Sequence, residues 1–240
     1  MKLFSFFAAA SFLLAQQPSR TLPPVPKTEV KRASSRIVVD GKLSDEAWKA
    51  AEPVTLLFPW EQRGAKQKTL VRLLWDDEYL YVAYDCEDED ITALFDQRDD
   101  PTYRDDAVEI FLNPKPQQSF YYGLEMNARA VLYDYFYAFP QLLLKRYDFT
   151  GVQLATDLRG TLNARGDKDS GWSLELAIPW RNFEELGGKM PPQPGAVWTA
   201  NINRWDGVEP DRRLSVWSDT GLDRPNPHNP ARFGQIVFVK

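Results

Sequence analysis

A series of short segments in this chain alternates apolar and polar residues with a period of two, and that pattern excludes most architectures. The segments VRLLW, YLYVAYDC, AVEIFL, YYGLEMN, AVLYDYF, GWSLELAIP, WTANINRW, SVWS and GQIVFVK follow one another, separated by Gly, Pro and Asp-rich breaks. Successive side chains of a strand point to opposite faces, so such segments are half-buried strands. VRLLW and YLYVAYDC flank Asp76-Asp77-Glu78 and predict a hairpin. Only two stretches break the rhythm as short helices. LSDEAWKAA carries Ser44 as a candidate N-cap, and Trp180 to Leu186 follows Pro179. Many strands, two short helices and no βαβ alternation predict an all-β fold, an antiparallel β-sandwich of the jelly-roll or immunoglobulin-like kind.

The amino terminus, MKLFSFFAAASFLLAQQPSR, has one cation followed by an apolar run to Ala15. The run is shorter than the roughly 20 residues of a spanning helix, so it reads as a signal peptide over residues 1–15, without stable membrane insertion. Export to the periplasm or the medium follows from that reading. Residues 16–35 contain four prolines and little apolar periodicity, and read as an extended linker. Residues 36–240 then form one domain.

Several functions are disfavoured by composition. A formal net charge of -5 and a pI near 5.1 argue against nucleic-acid binding. Cys86 is the only cysteine, so no intrachain disulfide can form, and His228 is the only histidine, which disfavours zinc sites built on several imidazoles. Eight Trp, 10 Tyr and 14 Phe exceed what a small core needs, which leaves rings for a binding surface.

Within AVEIFL, Val108, Ile110 and Leu112 share the core face, and Glu109 points away from it. The same reasoning puts Trp172, Leu174, Leu176 and Ile178 in the core and Glu175 on the opposite face. Glu125 shares a face with Asn127, and Asn201 with Asn203. Planar carboxylates and carboxamides, repeated on non-core faces, suit recognition of a polar ligand.

The ordered set VVDGKLSDEAW, VRLLWDDEYLYVAYDCEDED, YRDDAVEIFLNP, GWSLELAIPW, then WSD and HNPARFG, resembles carbohydrate-binding module family 9. The resemblance spans roughly Ile37 to Lys240 and implies a non-catalytic β-sandwich that binds the end of a saccharide or polysaccharide, attached to or working with polysaccharide-degrading enzymes. Family members hold the sugar between two tryptophans beside polar side chains. By that resemblance Tyr103 replaces the first Trp, while Glu109 and Asn127 match binding residues. Asn203 replaces a Gln, and Glu125 replaces an Arg with reversal of charge. The second Trp would fall near Pro227 and His228, leaving Trp205 and His228 as candidate rings. The family also carries structural calcium, and the acid-rich loops of this chain offer Asp85, Asp88, Asp90, Asp105 and Asp106 as oxygen ligands. Two other readings remain open from sequence: a glycoside hydrolase using Glu109 and Glu175 as its carboxylate pair, and a haem-carrying sandwich with Met126 and His228 as axial ligands.

Overall fold

The alternating segments form the strands of two packed layers in a computed structural model that describes residues 21–145 and 147–240. The signal-peptide reading of residues 1–15 lies outside these. Each described strand is β1 (Lys27–Arg32), β2 (Val54–Thr55), β3 (Thr69–Trp75), β4 (Tyr79–Cys86), β5 (Ala107–Asn113), β6 (Phe120–Asn127) or β7 (Leu132–Ala138) in the first part. The second part contains β8 (Leu142–Lys145), β9 (Gln153–Arg159), β10 (Gly171–Pro179), β11 (Val197–Asp206), β12 (Arg213–Val216) and β13 (Gly234–Phe238). Their hydrogen-bonded order is β8-β7-β6-β5-β11-β13-β1-β3-β4-β10-β9, with β12 on β11 and β2 on β3. The predicted hairpin is present as β3–β4, closed by Asp76 Oδ1, which accepts the backbone N–H groups of Glu78 and Tyr79.

β1 joins the two layers. Its first half runs parallel to β13 and its second half parallel to β3. The remaining strand pairs are antiparallel, so the predicted sandwich holds except at this seam. The linker reading of residues 16–35 is corrected here: residues 16–20 fall outside the described region, but Lys27–Arg32 are a strand of the sheet. Its polar side chains hid it, because a strand needs only backbone partners and one buried anchor, here Val30.

Between the layers, Val108, Ile110 and Leu112 of β5 and Ile202 of β11 belong to one apolar cluster with Val82 of β4 and Leu176 of β10. The Tyr84 hydroxyl crosses it to donate to the backbone carbonyl of Glu109, 2.8 Å away. Burial of this apolar surface, at about 25 cal/mol per Å², is the main stabilising contribution. The sequence-derived core faces of β5 and β10 are thus the observed ones.

Both outer faces are covered too. The segment before β2 wraps the outer face of β3, β4 and β10, where Ile37, Ala47 and Trp48 pack on Leu74, Tyr81 and Ala177. The first short helix is a 3-10 turn, Glu46–Ala50, and Asp45 rather than Ser44 precedes it. The Asp45 side chain accepts the N–H of Val38 instead of capping the turn. The second is a 3-10 turn, Trp180–Phe183, continuing into α1 (Glu184–Gly187). The face of β5, β6 and β7 carries a second aromatic layer of Phe111, Tyr121, Tyr133, Tyr135 and Phe233. Gly123 is required there: a Cβ would collide with the Tyr135 ring laid across it. Among the described residues no helix is long and apolar enough to cross a membrane.

Candidate functional site

On the outer face of the second layer, strand register assembles one row of side chains. Asn203 of β11 lies opposite Glu109 of β5, Glu109 opposite Glu125 of β6, and Glu125 opposite Tyr133 of β7. Residues two apart on a strand share a face, so the row continues to Trp205 on one side and Tyr135 on the other. Above it opens a cleft of about 390 Å³ whose lining includes Tyr103, Glu109, Glu125, Tyr133, Trp205 and His228. That volume lies within the range of small-molecule sites.

Each wall is fixed by its neighbours. Tyr103 sits in a 3-10 turn, Thr102–Arg104, that Thr102 ties to β6 by donating its hydroxyl to the Glu125 carbonyl. Its ring packs on Tyr133 at 6.1 Å between centroids. Where the resemblance left the second tryptophan missing, the Pro225–His228 segment borders the cleft. His228 is stacked on Phe111 at 5.0 Å, and its Nδ1 is 2.7 Å from the Tyr121 hydroxyl. Burial pushes His228 down to about 4, so it is neutral near pH 7. Trp205 carries the guanidinium of Arg212 over its ring, 4.0 Å from the centroid.

Arg212 is a side chain beside the cleft that sequence reading missed. It lies in the connection between β11 and β12, where no periodicity marks a residue as inward-facing. Its guanidinium places a positive charge beside Glu109 and Glu125. Its Nε and Nη2 are buried without a hydrogen-bond partner, as are Glu125 Oε2, the Tyr135 hydroxyl and Asn203 Oδ1. Unmet donors and acceptors around one cleft are a cost that only a bound polar ligand or water can offset.

The carboxylates are strongly perturbed. Glu109 is 1% exposed, and burial pushes it up to about 7 against the pull of Arg212, Asn203 and Trp205. Asn203 Nδ2 donates to its Oε2 at 3.2 Å. Burial, and then the charge of Glu109, hold Glu125 well above the usual carboxylate range.

Of the seven sequence-predicted binding residues, Tyr103, Glu109, Glu125, Trp205 and His228 line the cleft and Asn203 stands behind Glu109. Asn127 does not belong there. Its Nδ2 donates to the Phe95 carbonyl and to Asp105, and its Oδ1 accepts the N–H groups of Arg129 and Val131. Its Oδ1 closes the β6–β7 turn and its Nδ2 ties that turn to the β4–β5 connection, a role that looks identical to ligand binding in sequence.

The hydrolase pair does not assemble. Glu109 is on the outer face of one layer and Glu175 on the outer face of the other, with the apolar core between them. Glu175 is a fold-holding group: its Oε2 accepts the N–H groups of Asp40 and Gly41, both at 2.9 Å, and its Oε1 accepts Trp48 Nε1 at 2.8 Å. Glu175→Gln places an NH2 or a weaker acceptor against these donors. It is expected to cost about 1–3 kcal/mol in chemical denaturation while leaving ligand binding intact. The haem pair also fails, because Met126 is in the core between the layers and His228 is outside it.

The five aspartates proposed for calcium do not form one site. Asp85 pairs with Arg159 on the surface, Asp90 is exposed, and Asp105 accepts the N–H groups of Leu94 and Phe95. Asp88 and Asp106 do converge, with Asp206 rather than the others, on a buried trio whose oxygens lie within 4.8 Å of one another. Every one of those oxygens already accepts an N–H. Arg204 donates to Asp88 at 3.0 Å and to Asp206 at 2.8 Å, and Arg213 donates to Asp206. Trp172, Gln67 and the backbones of Asp90, Thr92 and Gly207 supply the rest. Burial, with Asp88 and Asp206 adjacent, holds Asp106 well above the usual carboxylate range. That leaves Asp88 and Asp206 facing two guanidiniums, and such a donor set does not fit a calcium ion. Chelation with EDTA is accordingly expected to leave the Tm unchanged in calorimetry. A loss of several degrees, reversed by calcium, would contradict this.

Comparison with known proteins agrees with this geometry. A family model described as carbohydrate family 9 binding domain-like matches residues 39–240. The chain is 27% identical over 153 residues to the exoglucanase XynX of Acetivibrio thermocellus, covering 64% of this chain but only 12% of that enzyme. A protein of Bacteroides uniformis, provisionally described as carbohydrate-binding, superposes with a TM-score of 0.77 at 20% identity, covering 89% of this chain and 99% of the other. A family 9 carbohydrate-binding module of Caldicellulosiruptor kristjanssonii, solved with cellotriose, superposes with a TM-score of 0.62 at 18% identity, covering 89% and 93%.

Proposed function

The chain belongs to the carbohydrate family 9 binding domain-like family, and from that premise we propose that it is an exported, non-catalytic module that binds a saccharide end in the cleft over β5, β6 and β11. One observation carries the reading. Tyr103, Glu109 and Trp205, from three separate segments, line a single cleft together with the buried carboxyl of Glu125. Pyranose rings present C–H faces to aromatic side chains and hydroxyls to paired donors and acceptors, and this cleft supplies both kinds of partner.

Glu109, held by Asn203, accepts from the ligand's hydroxyls, and Arg212 donates to its oxygens. Tyr103 and Trp205 provide the stacking surfaces. The chain corresponds to a small part of the exoglucanase relative, so its work beside polysaccharide-degrading enzymes belongs to the proposal. Export rests on the apolar run ending at Ala15, and amino-terminal sequencing of the protein recovered outside the cytoplasm tests it.

Binding is tested by titration calorimetry of the protein with soluble oligosaccharides, with Trp205→Ala alongside. Wild type is expected to bind and Trp205→Ala to lose about tenfold or more, because one stacking face and the seat of Arg212 disappear together. Equal binding by both proteins would place recognition elsewhere.

A further inference from the structure

The cleft places two buried carboxyl groups side by side. Glu109 and Glu125 lie directly opposite on β5 and β6, where like charges repel. They are 1% and 3% exposed, so water does not screen them. Among the described residues Arg212 is the guanidinium placed against them, and it lies over the Trp205 ring. Lys145 also borders the cleft, but it is solvent-exposed at the rim, where its charge is screened. Glu125 Oε2 is buried without a hydrogen bond of ordinary geometry, the Tyr135 hydroxyl being the donor beside this carboxylate. Around this pair the lining is aromatic: Tyr103, Tyr133, Tyr135, Tyr137 and Trp205. Faces of such rings attract cations, and aromatic residues gathered around a carboxylate form the usual cage for an ammonium group.

We propose that the saccharide held here is an amino sugar, whose protonated amine sits between Glu109 and Glu125 under the tyrosine rings. The inference rests on the saccharide reading of the same cleft and names its ligand class. Three N–H donors of one ammonium can serve both carboxylates at once. Before binding, burial keeps a proton on this pair near neutral pH. An arriving ammonium displaces it, so binding releases a proton to solvent. No such release accompanies a neutral sugar.

The test titrates the full chain calorimetrically with a glucosamine trimer, its fully N-acetylated form and cellotriose. Each titration is repeated in two buffers of different ionisation enthalpy. The glucosamine trimer is expected to bind about tenfold or more tighter than the two neutral trimers. It should also release protons, which the neutral trimers should not. Glu125→Gln, which keeps the side-chain volume, is expected to bring the three affinities within a few-fold of one another. The proton count on wild type is independent of how that variant folds. Cellotriose binding as tightly as the glucosamine trimer, or no proton release, overturns the amino-sugar inference while leaving the saccharide reading standing. Binding of none of the three trimers overturns both.

Discussion

Arg204→Met is expected to destabilise the protein by about 3–5 kcal/mol, the usual result of removing one partner from a buried ion cluster. Arg204 is fully buried and donates to Thr69, Glu87, Asp88 and Asp206. Methionine fills a similar volume but satisfies none of these acceptors. Asp88 and Asp206 then share only Arg213, which is bonded to Asp206. For a chain of this length the loss corresponds to a fall in Tm of roughly 10 °C or more. The cluster ties the β4–β5 connection to β11, so the connection that presents Tyr103 loosens with it. Calcium added to the variant is expected not to restore the Tm, since the vacated space is lined by a methionine and by carboxylates that still accept other N–H groups. Recovery on adding calcium would show that a metal can serve this cluster.

Glu109→Gln separates binding from stability, and the two effects have opposite signs. Binding is expected to weaken by about 10- to 150-fold, the value of 1.5–3 kcal/mol for a hydrogen bond to a charged group. Stability responds differently because of proton linkage. The unfolded chain loses the Glu109 proton near 4.5 and the folded chain near about 7. Between those values the folded state holds a proton that the unfolded state has released, so stability declines as pH rises through the window. The decline is on the order of 3 kcal/mol at most for this group. Glutamine is neutral throughout, so the variant is expected to lose part of that slope and to match or exceed wild type above pH 7. Glu125 and Arg212 face the same carboxylate, and Glu125 retains a slope of the same sign. Denaturation at several pH values measures both slopes. A variant less stable than wild type at every pH would mean that Glu109 holds the fold rather than a ligand.

What could be read from sequence was what depends on period. Val108, Ile110 and Leu112 had to share a face, so Glu109 had to point away from them, and β10 followed the same rule. Period says nothing about what covers the opposite face. Glu109 and Glu175 therefore looked equivalent, although one borders a cleft and the other fastens Trp48 and the Asp40–Gly41 turn. Asn127 failed for a related reason, since a carboxamide that closes a turn has the same sequence signature as one that grips a hydroxyl. β1 was hidden by the prolines before it and by polar side chains. Arg212 was hidden because its position depends on Trp205, seven residues earlier and across a turn. Arg204 was on the core face by alternation with Asn203, but its role appears only when Asp88, Asp106 and Asp206 are brought together from distant segments.

The central claim is that the cleft over Glu109 is where this protein holds its ligand. A crystal structure of the protein soaked with a short oligosaccharide tests it most directly. The account predicts a sugar ring against Tyr103 or Trp205, with a Glu109 oxygen within hydrogen-bond distance of it. A sugar seated on the opposite layer, away from Glu109, would contradict it.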